Sequence, residues 1–158
     1  MDRMPSHELE PDEYVRIDGD QCIGSGLAAP CTIVLAQGTE PRPALMGHFL
    51  HLANADGLVN LRLLAMLREA EREFGATLRI KIRGNSFFPH QGEHLRPIQV
   101  RERKIFTGLL DSMGIPSDIR WAQDNEITSM TFDARTGRDT VEVHAYVLYH
   151  GRGTVKRK

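Results

Sequence analysis

Three side chains able to do covalent chemistry stand close together near the N-terminus: Ser25, Cys31 six positions later and His48 seventeen after that. They lie on Ser25-Gly26-Leu27-Ala28-Ala29-Pro30-Cys31-Thr32-Ile33-Val34-Leu35 and on Ala44-Leu45-Met46-Gly47-His48-Phe49-Leu50. A thiol attacks carbonyl carbon only as thiolate, and an unassisted cysteine is a few per cent ionised at neutral pH. An imidazole alongside takes the proton, and a hydroxyl can set which ring nitrogen faces the sulfur. Hydroxyl, thiol and imidazole together suggest acyl transfer on an amide. The plainer reading makes Cys31 a small buried hydrophobe and His48 a satisfied core histidine. Cys22 has no histidine at a comparable distance and reads as structural.

These residues need strands to hold them. Cys31 to Ala36 is a β-branched run, Gln37 to Pro43 a loop and Ala44 to Leu50 a second strand, so a hairpin or neighbouring pair would bring their ends together. Glu13 to Ile17 alternates polar and apolar, as a half-buried strand does, and Asp18-Gly19-Asp20 turns the chain. Leu63, Leu67, Ala70 and Phe74 recur at helical spacing, with Asn54 or Asp56 as the expected cap and Gly75 as the stop. Leu78 to Ile82 alternates as a strand, and Gly84 to Pro97 reads as a long loop. A second helix is predicted from about Val100 to Met113, with Ile105, Leu109 and Met113 on its stripe and Pro116 beyond it. Ile119–Ala122, Ile127–Asp133 and Asp139–Tyr149 complete the strands, the last two as a hairpin.

This order favours α+β: layered, mostly antiparallel or mixed sheets with two main helices packed outside. At 158 residues one domain with one real core is expected. Its limits are placed at 13–150, between a flexible leader (1–12) and a basic flexible tail (151–158). A net charge of −1 argues against bulk nucleic-acid binding and attraction to anionic membrane. No apolar run approaches the ~20 residues that span a bilayer, so no membrane insertion is expected. The polar start lacks the apolar stretch of a signal peptide, which predicts a cytoplasmic protein with reduced thiols. Metal binding is the weaker rival chemistry. His48 and His51 fall on opposite faces of a strand, and His90, Glu93 and His94 lack a recognised ligand frame. No metal and no cofactor is expected.

The sequence resembles the CheD family of chemotaxis proteins, receptor glutamine deamidases that carry a threonine, a catalytic cysteine six residues on, and a histidine seventeen beyond in a Gly-Gly-Met-x-His-Phe setting. Ser25, Cys31 and His48 keep those spacings, and Met46-Gly47-His48-Phe49 echoes the histidine motif. Phe74-Gly75-Ala76, Ile80-Lys81-Ile82-Arg83-Gly84-Asn85, Arg101-Glu102-Arg103, Gly114-Ile115-Pro116 and Phe132-Asp133-Ala134-Arg135-Thr136-Gly137 continue the likeness, which spans roughly Tyr14 to Tyr149. The chain departs from the family's Gly-x-Gly-Ser-Cys approach, having Ala28-Ala29-Pro30-Cys31, and has Asp124-Asn125-Glu126 where the family has paired glycines. Proline offers no N–H, so an oxyanion donor drawn from that position is missing, a loss typically worth 10²–10³ in rate.

The resemblance implies a CheD-like cysteine hydrolase fold and a protein-glutamine deamidase acting on chemoreceptor cytoplasmic domains. Cys31 would be its nucleophile, His48 its base and Ser25 the group orienting the histidine. Asn85 and Ser86, in the loop after the lysine-bearing strand, are the expected substrate contacts. The alternative is a catalytically impaired binding module that regulates a CheC-type phosphatase or another chemotaxis partner. A related toxin-type deamidase is the third possibility.

Overall fold

The computed structural model describes residues 3–149 and 151–158. In chain order its strands and helices are β1 (His7–Glu8), β2 (Glu13–Ile17), β3 (Cys22–Gly24), β4 (Thr32–Gln37), β5 (Ala44–Phe49), α1 (Leu61–Phe74), β6 (Arg79–Gly84), α2 (Arg96–Met113), β7 (Ser117–Trp121), β8 (Glu126–Asp133), β9 (Arg138–Tyr149) and β10 (Arg152–Arg157). They form two five-stranded sheets, ordered β1-β3-β8-β9-β10 and β2-β5-β4-β6-β7. Both are mixed: β1 runs parallel to β3 and β6 to β7, while the other pairs are antiparallel. The fold is α+β, as the element order predicts.

The β2-β5-β4-β6-β7 sheet is the middle layer. Its central strand β4 is buried on both faces, which is why Thr-Ile-Val-Leu-Ala reads as a continuous apolar run rather than an alternation. Val34 and Ala36 meet one core with Leu45, Phe49, Leu63, Met66, Phe106 and Leu110, on the helix side. Ile33 and Leu35 meet a second core with Ala44, Met46, Met130 and Phe132, between the two sheets.

The helices form for local reasons that partly differ from expectation. Leu63, Met66, Leu67 and Ala70 make the buried stripe of α1. Its cap is Asn60, whose side chain accepts from Arg62 N (2.9 Å) and Leu63 N (3.3 Å). Asn54 instead closes its own turn, accepting from Asp56 N and Leu58 N. Helix α2 starts at Arg96, a turn earlier than predicted, because a proline in the first turn gives up only an N–H that has no helical partner anyway. Its buried stripe is Glu102, Phe106 and Leu110, one residue round from Ile105, Leu109 and Met113. A buried glutamate on that face hides the true stripe from a hydropathy reading.

Both termini make backbone pairings with the sheets. Leu9 is buried and its N–H donates to Gly24 O (2.8 Å), so the leader is laid into the fold beside β3. At the other end β10 pairs with β9 from Arg152 to Arg157, so the basic tail is an exposed edge strand. Its charges suit an edge that must not pair further. Among the described residues no helix is long and apolar enough to cross a membrane.

Candidate functional site

Strands β4 and β5 pair with Thr32 opposite Phe49 and Ile33 opposite His48. Cys31 precedes β4 by one residue and joins the inter-sheet core with Ile33, Leu35 and Met46. His48, two residues after Met46, points to the same side. The cysteine and histidine are therefore diagonal neighbours on one face of two paired strands. The expected β4–β5 hairpin forms.

The imidazole is held in one orientation. His48 Nδ1 lies 2.7 Å from the carbonyl oxygen of Ser25 and 3.4 Å from that of Leu9. Carbonyls only accept, so Nδ1 carries the proton and Nε2 keeps its lone pair. Nε2 is buried and has no hydrogen-bond partner among the described residues. A buried polar atom left in this way costs about 1–3 kcal/mol. Cys31 Sγ is accordingly not bonded to it.

Cys31 is 5% exposed. Burial, with the negative charge of Asp12 as a lesser cause, pushes its thiol up to about 11. At rest it is a neutral thiol. Cys22, wholly buried, is also free, and its Sγ contacts Arg3 O at 3.6 Å. Burial first and Asp133 second raise its pKa too.

Ser25 orients His48, but through its backbone. Its hydroxyl donates to Gly26 O (2.6 Å) and accepts from Met130 N (2.9 Å), tying the end of β3 to β8. The hydroxyl expected to steer the ring is thus occupied elsewhere.

Asn85 and Ser86 line a cleft of about 360 Å³ that also touches Pro30 and Leu50, but their polar atoms are spent inside the protein. Asn85 Nδ2 donates to Thr32 Oγ1 (3.1 Å), its Oδ1 accepts from Arg103 Nε (2.8 Å), and its carbonyl accepts from Gln99 Nε2 (2.8 Å) and from Arg103 Nη2. Ser86 Oγ donates to Gln123 O (2.9 Å) and accepts from Glu126 N (3.1 Å). Their work is to build the loop that abuts Cys31. Asn85 N donates to Cys31 O (2.7 Å), and Gly84 allows it, because a Cβ there would stand 2.6 Å from that same oxygen.

Sequence reasoning missed Leu9 and Asp12. Asp12 donates its N–H to His48 O (2.6 Å), and its carboxylate accepts from Leu50 N (3.3 Å) and Asn60 Nδ2 (3.0 Å). The sequence signal that could have found this turn is Pro11-Asp12. The histidines of the rival metal reading are used otherwise. His51 Nδ1 pairs with the buried Glu102 (3.1 Å), and His90 stacks on Tyr146 with ring centroids 5.3 Å apart. Among the described residues no three His, Cys, Asp or Glu side chains are grouped to hold a metal.

No protein-family model matches the chain, and no curated protein matches it either. The geometry of Cys31, His48 and Ser25 and the short motifs around them are what bear on function.

Proposed function

We propose that the chain is a protein-glutamine deamidase, with Cys31 as nucleophile and His48 as general base and then acid. The observation that carries this reading is His48: proton fixed on Nδ1 by the Ser25 carbonyl, lone pair on a buried and unengaged Nε2, on the same sheet face as Cys31. A core histidine with no task would be expected to have both nitrogens satisfied.

The chemistry follows from the two resting states. Because the thiol is neutral, its proton passes to Nε2 as Sγ attacks the side-chain carbonyl carbon of glutamine. The C–N bond then breaks, Nε2 returns the proton to the departing nitrogen, and ammonia leaves. Water, deprotonated by the same nitrogen, cleaves the thioester to glutamate and free thiol. Positioned acid–base help of this kind contributes about 10²–10⁴-fold. The substrates proposed are glutamines on chemoreceptor cytoplasmic domains.

Incubating such domains with wild-type and Cys31→Ala protein and reading each glutamine by mass spectrometry tests this. Deamidation by wild-type protein alone is expected. Equal conversion by both proteins, or none by either, would overturn the reading.

A second reading rests on a different observation. Cys31 is 5% exposed, its thiol is pushed to about 11, and Pro30 offers no N–H before it. These suit a binding module whose chemistry has lapsed and whose partner is a CheC-type phosphatase or another chemotaxis protein. Partner binding that Cys31→Ala leaves intact, with no deamidation by the wild type, would favour it.

A further inference from the structure

The His48 side of the cysteine–histidine pair is covered by the N-terminal segment. Leu9, 4% exposed, belongs to the same buried cluster as Cys31, and Leu9 O stands 3.4 Å from His48 Nδ1. Three residues on, Asp12 N donates to the carbonyl oxygen of His48 itself (2.6 Å). The stretch from Leu9 to Asp12 therefore runs across the end of β5 that carries the imidazole. Its anchorage is uneven. Strand β2 fixes it from Glu13 on, and Asp12 is bonded to Leu50 N and Asn60 Nδ2. On the other side stand the Leu9 N to Gly24 O bond (2.8 Å) and β1, a two-residue strand at a sheet edge with both residues exposed. Short edge elements with few backbone bonds are the ones that open locally while the rest of a domain stays folded.

We infer that the N-terminal segment is an autoinhibitory strap, which keeps the Cys31 thiol out of reach when seated and admits a glutamine side chain when the Leu9–Asp12 stretch lifts from β3 and β5. What the opened site does rests on the deamidase reading. The covering rests on the contacts alone. Seating also places the Asp12 carboxylate where it opposes formation of the thiolate, so access and ionisation are suppressed together.

Thiol labelling of the full-length protein at neutral pH, with both cysteines read by peptide mass spectrometry, tests this without any substrate. Leu9→Ala empties the apolar seat and is expected to speed alkylation of Cys31 by about tenfold or more, since reaction follows the population of the opened form. Leu9→Met keeps the seat filled and should label near the wild-type rate. Cys22 is the internal reference, because Ser6 N to Cys22 O (2.9 Å) and Arg3 Nη1 to Asp20 O (2.6 Å) anchor its cover separately. Unchanged labelling of Cys31, or equal acceleration at both sulfurs as general loosening would give, overturns the strap. Selective acceleration at Cys31 in a Leu9→Ala protein that deamidates nothing would support the strap while removing the deamidase reading, so the two failures are distinct.

Discussion

The two faces of the middle sheet are filled on different principles. Toward the helices, Val34, Ala36, Leu45 and Phe49 meet Leu63, Met66, Phe106 and Leu110, an interior held by shape and area. Toward the other sheet, Ile33, Leu35 and Met46 share their layer with Cys31 and His48, and Lys81 reaches across to Asp139 at 2.8 Å. Apolar groups need no directional partner, so the helix face is set by volume and shape. Polar groups between the sheets each need one, and among the described residues His48 Nε2 is the buried side-chain nitrogen or oxygen left without it. That unsatisfied nitrogen is what the proposed chemistry would use.

The comparison breaks most visibly at that nitrogen. His48→Ala is expected to lower deamidation by about 10²–10⁴-fold or more. The protein should stay folded, because the residue's strand pairing is made by backbone. Circular dichroism beside the glutamine assay checks both halves, and retained turnover would return His48 to the core. On the helix face the effect should appear in stability and not in catalysis. Phe106→Ala removes a fully buried ring from α2 and should cost about 3–5 kcal/mol in urea unfolding. A cost below about 1 kcal/mol would mean that the helix layer is not integral to the core.

The same contrast explains what could be read from the chain. The hairpin that brings Cys31 to His48 was legible, since β-branched runs flanking a Gly/Pro loop specify strands by local chemistry alone. So was α1, though Asn60 rather than Asn54 or Asp56 caps it. The stripe of α2 was not, because Glu102 sits on the buried face, paired to His51, and breaks the apolar period. The leader was not either: a two-residue parallel strand has too little pattern to detect, and only tertiary contact reveals that Leu9 is core. Ser25 shows the finer limit. Spacing placed it beside His48, but whether a serine acts through hydroxyl or carbonyl is decided by backbone direction, which composition does not carry.

Ser25→Ala sharpens the point. The carbonyl that holds His48 Nδ1 survives the change, so turnover should fall little. The hydroxyl that satisfies Met130 N is lost, which should cost about 1–3 kcal/mol of stability. Chemical denaturation and kinetics on the same variant separate these effects. A large loss of activity with unchanged stability would restore the hydroxyl to the mechanism.

The last expected effect vanishes at neutral pH and emerges only in alkali. Burial raises the Cys31 thiol from 9.0 to about 11 in the folded protein, so folding favours the protonated form. The stability linked to this is fully present below about pH 9, where folded and unfolded chains both hold the proton. It is lost as pH rises through about 11, because the unfolded chain sheds its proton first. Cys22 shifts in the same direction, so the comparison must be made in a Cys22→Ser background. There, Cys31→Ala should flatten the alkaline limb of the unfolding free energy between about pH 9 and 11 and leave the curve near pH 7 unchanged in slope. If the two curves stay parallel throughout, the thiol is not buried in the folded protein. The pair between the sheets would then be open to solvent at rest, and no strap would be needed to silence it.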